Sequence, residues 1–348
     1  MEFNQFLTSY MPDLSVGGKQ HFDNLVEQAV HADRLGYKRV SLPEHHLINI
    51  LMMPSPLQMA VKIATLTNRI EIVTAIAVLP IRDMRIFAGE VNQADILCDG
   101  RLVLGVGRGA FAYEIERLGV PMASTRERMD ESLKVLQALL EGEEVSWDGT
   151  YYKFEPLTIM PRPMRPIPMM LAVMTIEGIY QCARQGFHIQ TTVLSATNEL
   201  LLERVNAFLR GKAERGEAGK GLSLSLQRMA YCARDEADAR EKLEMAYGYY
   251  QRFDNVFTGP EIADHSSRGI VSHGAIEPLP RDQTIEELGQ NLLICPADEM
   301  IGRLGMYADA GIDEVILSSG VGQSQDDMLE CMERFATEVM PHFSTSKK

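Results

Sequence analysis

The sequence predicts an α/β protein in which eight parallel strands, each followed by a helix, close into a (β/α)8 TIM barrel, one domain spanning residues 1–348. Three observations predict it. Strand-like and helix-like segments alternate along most of the chain. A helix that ends at glycine, with an apolar or strand residue four positions later, recurs at Gly36…Val40, Gly186…Gln190 and Gly311…Val315. Most joints carry no hairpin signal, so the strands are expected to be parallel, with helices crossing between them. Counting Asp313–Ser318 gives about eight strands, which favours a closed barrel over an open doubly wound sheet.

The elements follow in order. Glu2–Thr8 reads as the first strand. Phe22, Leu25, Val26, Ala29, Ala32 and Leu35 have helical spacing, and Gly36 supplies a left-handed stop. Arg39–Leu42 reads as the second strand. The pattern then predicts a helix at Pro56–Leu66, a strand at Ile70–Val78, a helix at Ile86–Leu97 and a strand at Leu102–Val106. After these come an expected helix at Thr125–Leu140, a strand at Met169–Val173, a helix at Thr175–Arg184 and a strand at Phe187–Thr191. A helix at Asn198–Arg215, a strand at Leu222–Ala230 and a helix at Ala237–Arg252 complete the pattern up to the last strand. Two insertions interrupt it. Trp147-Asp148-Gly149-Thr150 between strand-like flanks predicts a hairpin near 143–156. Thr258–Pro296, with Pro260, Gly269, Gly274, Pro278 and Pro280, predicts a long loop near 258–296 after the seventh strand. That loop is either a cover for the active site or an inert surface excursion.

Composition narrows the function. The net charge of −14 is spread along the chain, which disfavours nucleic acid and anionic membrane surfaces as partners. The longest apolar runs are of strand length, so no membrane span is expected. Five scattered cysteines without a Cys-x-x-Cys pair argue for a reducing compartment and against a disulfide frame or zinc site. Met1-Glu2-Phe3-Asn4-Gln5 has neither a basic nor an apolar leader pattern, and a cytoplasmic location is expected. Twenty methionines suit an adaptable core or an apolar pocket.

Two motifs carry chemistry. Pro43-Glu44-His45-His46 stands at the end of the second expected strand, the end that faces the active site in such a barrel. Consecutive strand residues point to opposite sides, so these three side chains do not converge as metal ligands. No metal is expected, and a hydrogen-bonded polar belt is the structural alternative. Gly105-Val106-Gly107-Arg108-Gly109-Ala110 follows the fourth strand. It matches a dinucleotide fingerprint, but at the wrong strand. The other reading is a close backbone approach to a ligand, with Arg108 shaped for phosphate. Arg126, near a helix start, favours an anion or forms a surface salt bridge. Thr175 is placed as a helix cap or a phosphate ligand.

These residues bring the chain to a family. It resembles the luciferase-like flavin-dependent monooxygenases, and within that superfamily the catalytic bacterial luciferase chains. The resemblance rests on Phe3-Asn4-Gln5-Phe6-Leu7, Leu42-Pro43-Glu44-His45-His46 and Thr74-Ala75-Ile76-Ala77-Val78-Leu79-Pro80. It continues through Asp95 and Asp99-Gly100-Arg101-Leu102-Val103-Leu104-Gly105-Val106-Gly107-Arg108-Gly109, then Arg126, Pro168–Gly186 and Ala308–Phe343. The resemblance implies reduced FMN and O2 as cosubstrates, a separate NAD(P)H:flavin reductase, a small apolar organic substrate and a homodimer. It aligns His45 with the histidine beside the flavin, with Glu44 in the same site. Ala75-Ile76 falls where relatives carry a non-prolyl cis peptide against the flavin ring. Arg108, Arg126 and Thr175 align with residues that hold the phosphate. Gly109, Ala110, Val173, Met174 and Gly178 align with their neighbours.

The chain also departs from luciferase. Met174 replaces a carboxylate, Gly178 a threonine and Gly107 a reactive cysteine, while Ile294-Cys295-Pro296 replaces Gly-Thr-Pro. These changes weigh against light emission and long-chain aldehydes, and leave the flavin site in place. A deazaflavin-dependent oxidoreductase is the alternative within the superfamily. A non-catalytic flavin-binding or partner subunit is disfavoured by His45 and Arg108, and a metal-dependent hydrolase by the lack of ligand clusters.

Overall fold

A computed structural model describes residues 1–257 and 269–344. Eight parallel strands form the barrel: β1 (Glu2–Phe6), β2 (Arg39–Leu42), β3 (Glu71–Thr74), β4 (Leu102–Gly107), β5 (Met169–Ala172), β6 (His188–Thr192), β7 (Leu224–Ala233) and β8 (Glu314–Ser318). Each pairs with the next, and β8 pairs with β1, so the barrel closes as expected. The strands are buried on both faces, by the barrel interior and by the surrounding helices, which is why β4 reads as an unbroken buried run.

The surrounding helices are α1 (Gly18–Leu35), α2 (Pro56–Ala64), α3 (Met84–Leu97), α4 (Ala112–Arg117), α5 (Thr125–Glu141) and α6 (Ile176–Gln185). They continue with α7 (Asn198–Glu214), α8 (Glu236–Val256), α9 (Ile285–Asn291), α10 (Ala297–Asp309) and α11 (Gln325–Arg334). The recurrent joint works as read. Gly36, Gly186 and Gly311 take φ of 94°, 100° and 93°, which a side chain would oppose. No helix among the described residues is long and apolar enough to cross a membrane.

Several boundaries move. The expected strand Ile70–Val78 stops at Thr74. The Ala75–Ile76 peptide is cis, and Ala77–Val78 resumes beside β4. The expected hairpin near 143–156 is present as Val145–Asp148 against Lys153–Leu157. The expected loop near 258–296 is corrected. Its residues 258–268 lie outside the described residues, but the rest holds a Val271–Ser272/Ala275–Ile276 hairpin, α9 and a strand, Leu293–Pro296. That strand pairs with the second half of β7, which runs three residues past its expected end at Ala230. Sequence signals for this order existed. Thr284 and Glu287 form a capping box ahead of α9, and Leu293-Ile294-Cys295 is an apolar run.

The amino ends of the strands are closed by charge. Glu314 accepts from Arg39 of β2 at 2.9 Å and from Ser225 of β7 at 2.6 Å, while Arg39 also donates to Glu71 of β3 at 2.7 Å. The carboxyl ends are left for a ligand.

The two glycines that looked suited to a ligand serve the scaffold. A Cβ on Gly105 would stand 1.9 Å from the Thr74 carbonyl oxygen, and one on Gly107 would stand 2.3 Å from Ile76 Cδ1. They let β4 press against the turn that leaves β3. Gly105→Ala should therefore force two backbones apart and cost roughly 3 kcal/mol of stability. A urea midpoint equal to that of the unaltered protein would show slack at this contact.

Candidate active site

At the carboxyl ends of the strands lies a cavity of about 440 Å³. Every candidate residue read from the sequence lines it. Glu44 and His45 come from the end of β2, Ala75 and Ile76 from the turn after β3, and Arg108, Gly109 and Ala110 from the loop after β4. Arg126 comes from the first turn of α5, and Val173, Met174, Thr175 and Gly178 from the joint of β5 and α6.

The Glu-His-His run divides as strand alternation requires. Glu44 and His46 share a side, with His46 Nε2 2.9 Å from Glu44 Oε1. Glu44 also accepts from Arg82 at 2.6 Å and from the Val78 backbone N–H at 2.9 Å. Burial alone would raise its pKa. The His46, Arg82 and Val78 bonds together outweigh burial and hold its carboxyl below the ordinary range. Both Glu44 oxygens are thus engaged, and they tie β2 to the turn after β3. His45 turns the other way. Its Nδ1 lies 2.8 Å from Glu114 Oε1, and its ring stacks on Phe111 with centroids 4.2 Å apart. Glu114 Oε2 accepts from the His46 backbone N–H at 2.7 Å. An ionised carboxylate only accepts, so this bond assigns the proton to Nδ1 and leaves Nε2 without a partner among the described residues. Among those residues no three His, Cys, Asp or Glu are grouped as metal ligands would be.

Glu114 was not singled out from the sequence. A lone acid in a short helix, α4, gives no pattern, and only the fold buries it beside His45.

On the β4–β5 side two cations, Arg108 and Arg126, and one acid, Asp130, line the cavity. The Arg108 and Arg126 side chains have no hydrogen-bond or carboxylate partner among the described residues. Burial, and then the positive charge of Arg126, depress the pKa of Arg108. Thr175 caps α6, accepting from the Gly178 N–H at 3.2 Å, and its own O–H remains available to donate. A Cβ at Gly178 would lie 2.7 Å from both Thr175 Oγ1 and Val173 Cγ1, so a larger residue does not fit this cap. Two guanidinium groups without partners among the described residues, one of them half-buried, on the same cavity as a helix N-terminus are well matched to a phosphate. The residues present therefore fit the phosphate of FMN.

The opposite wall was also missed. Tyr249, Tyr250, Phe253 and Phe257 line the cavity from α8 and its end. The expected helix ended at Arg252, before the spacing of positions 249, 253 and 257 could be seen as one face.

The depressed pKa of Glu44 has a measurable sign. Its contribution to stability is complete above its ordinary value of about 4.5 and is lost as pH falls through the lower folded value. The stability gap between the unaltered protein and Glu44→Gln should be constant from neutrality to about pH 5 and shrink below it. Urea unfolding at stepped pH measures this, and a gap that narrows near neutrality would contradict it.

Comparisons with known proteins identify the family. The description "Luciferase-like monooxygenase" belongs to the family whose profile matches residues 1–314. The flavin-dependent trigonelline monooxygenase oxygenase component of Acinetobacter baylyi is 28% identical, over 94% of this chain and 92% of its own. An F420-dependent glucose-6-phosphate dehydrogenase of Amycolatopsis mediterranei is 23% identical, over 91% of this chain and 93% of its own. The oxygenating constituent of 3,6-diketocamphane monooxygenase from Pseudomonas putida, solved with FMN, shares the fold. It has a TM-score of 0.78 and 16% identity over 100% of each chain. The chain belongs to the luciferase-like monooxygenase family.

Proposed function

We propose that this protein is the oxygenase component of a two-component monooxygenase, using reduced FMN and O2 to oxygenate a small apolar organic molecule. A separate NAD(P)H:flavin reductase supplies the reduced FMN, and both act in the cytoplasm. The observation that carries the reading is the pair Arg108 and Arg126, without partners among the described residues and facing one cavity with the N-terminus of α6. Similarity to a flavin-dependent oxygenase component supports it.

When bound, reduced FMN supplies two electrons to O2, one atom of which enters the substrate while the other leaves as water. The chain's residues prepare the site. Arg108, Arg126 and the Thr175 O–H hold the phosphate, with backbone at Gly109, Ala110 and Met174 around it. Ala75 and Ile76 floor the ring, and Val173 and Gly178 shape the cup. His45 presents Nε2 to the reacting region as hydrogen-bond partner and proton carrier. Glu114 is a positioning residue that fixes the His45 ring and tautomer. Glu44 sits in the same site, but its engaged carboxylate suits it to holding the β2 and β3 ends rather than to moving protons. Apolar walls keep water from the reacting centre.

Anaerobic titration with reduced FMN tests this. Arg108→Ala should weaken binding by about thirty-fold, the loss of one charge-assisted contact. The same variant should unfold no more easily without ligand, because it loses a half-buried charge that has no partner among the described residues. His45→Ala should bind reduced FMN within a few-fold of the unaltered protein and re-oxidise it faster on mixing with oxygen. Glu114→Gln should fall between the two in re-oxidation rate. Similarity to an F420-dependent dehydrogenase keeps a hydride-transfer reading in view. Tight deazaflavin binding without reduced-FMN binding would replace the oxygenase reading with it.

A homodimer through α2 and α3 belongs to the same proposal. Ile86 and Leu97 of α3, with nearby Met160, are exposed apolar side chains. Sedimentation at micromolar concentration should show a dimer, and a monomer alone would refute it.

A further inference from the structure

Across the barrel from β4 and β5, the cavity changes character. The strands there are β7, β8 and β1, and their lining residues include Phe6, Gln227, Met229 and Ser318, none of them charged. Over them lies an aromatic ladder. Tyr249, Phe253 and Phe257 stack along one face of α8, with centroids 5.9 and 5.3 Å apart and both interplanar angles 23°. Phe111 meets Phe253 edge-on at 5.5 Å and carries the ring system to His45, on which it stacks. Tyr249 and Tyr250 are each only 4% exposed and line the cavity, yet neither hydroxyl has a hydrogen-bond partner among the described residues. Neither hydroxyl oxygen is sealed off from the cavity, and a donor open to a cavity without a protein partner is placed for a ligand atom to complete the bond. Burial raises the pKa of both phenols, Tyr250 to about 12 and Tyr249 well above its ordinary value, so both stay protonated and able to donate.

We propose that the substrate is an uncharged, planar aromatic molecule bearing an oxygen acceptor, packed against the Tyr249–Phe253–Phe257 ladder with its oxygen accepting from the Tyr249 or Tyr250 hydroxyl. This deepens the oxygenase reading and rests on it for the placement of the cofactor on the arginine side. The argument for the class has three parts. Flat rings gain from stacked and edge-on contacts with the ladder beyond the area they bury, which a saturated cage does not. Two donors without partners call for an acceptor on the ligand. No charged side chain among the described residues lines this wall; the nearest cations stand behind Tyr250 and are engaged, Arg281 by Asp254 and Arg228 by the Leu194 and Ala196 carbonyls, so a charged ligand would be desolvated with little compensation. The packing of Phe111 on His45 then sets such a substrate beside His45 Nε2.

The test is equilibrium dialysis of four probes, with and without saturating FMN. They are 9-fluorenone, fluorene, camphor and 9-oxofluorene-4-carboxylate. They separate ring, acceptor, planarity and charge. Fluorenone should bind at least about tenfold more tightly than each of the others, the worth of one or two buried neutral hydrogen bonds and of the aromatic contacts. In the Tyr249→Phe/Tyr250→Phe double variant fluorenone should fall to the affinity of fluorene, while fluorene itself changes little and so reports an intact wall. Equal binding of fluorenone and fluorene to the unaltered protein would overturn the proposal. So would tighter binding of camphor or the carboxylate, an unchanged preference in the double variant, or no binding of any probe. FMN affinity is measured on the same samples. No binding of reduced FMN under anaerobic conditions, with the probe preference intact, would sink the oxygenase reading alone. FMN binding without the preference would sink the substrate class alone.

Discussion

Glu314 sits inside the barrel at the seam where β8 meets its neighbours, and its carboxylate is shared between Arg39 of β2 and Ser225 of β7. Arg39 in turn reaches Glu71 of β3. The chain of contacts therefore crosses the closure point and spans both sides of β1. Burial alone would depress the Arg39 pKa, but the two carboxylates outweigh it and keep the guanidinium firmly charged. Such a network is weak evidence for net stability, since desolvation consumes much of the attraction. Its value is in register. Sliding any of these strands by one residue would turn a buried charge away from its partner and its whole apolar set to the wrong face. Everything at the far end of the strands is positioned by that register.

At the far end two further carboxylates repeat the logic. Glu44 fastens β2 to the turn after β3 and to Arg82, and Glu114 fastens His45 and the His46 backbone to α4. The site thus contains two acids, Glu44 and Glu114, whose oxygens are all engaged, and two arginines with no partners among the described residues. A folded chain tolerates the second condition only at a modest cost, and the contrast separates groups that hold the site from groups that await something. The glycines sort in the same way. Gly105 and Gly107 accommodate the protein's own Thr74 and Ile76, and Gly178 accommodates the Thr175 cap.

Much of this was legible in the chain. Parallel strands buried on both faces leave continuous apolar runs, and the helix–glycine–strand joint repeats visibly, so the barrel could be counted. The Glu44-His45-His46 run and the Arg108 loop could be placed because both directly follow strands. The fold brings Glu44, His45 and the Arg108–Ala110 segment to one cavity and leaves His46 outside its lining, bonded to Glu44. What could not be read depends on contacts distant in sequence. Glu114 has meaning only through His45, 69 positions away. The break at Thr74 follows from the approach of Gly105, which no local pattern records. The order within 269–296 was overlooked for a different reason: its glycines and prolines masked the Thr284–Glu287 cap and the short apolar strand after it. The aromatic face of α8 was hidden because the helix was ended too soon.

The unpaired arginines also bear on the protein's lifetime. A half-buried Arg108 with the positive charge of exposed Arg126 acting on it raises the free energy of the folded chain, whereas in the unfolded chain the two separate into water. Any tightly held anion removes that penalty and adds its own binding free energy to the native state alone. Opening to proteases and to aggregation then becomes rarer as ligand concentration rises above its dissociation constant. With the phosphate-bearing ligand proposed above, a site built in this way would couple turnover of the polypeptide to supply of that ligand, so that starved molecules would be cleared ahead of loaded ones.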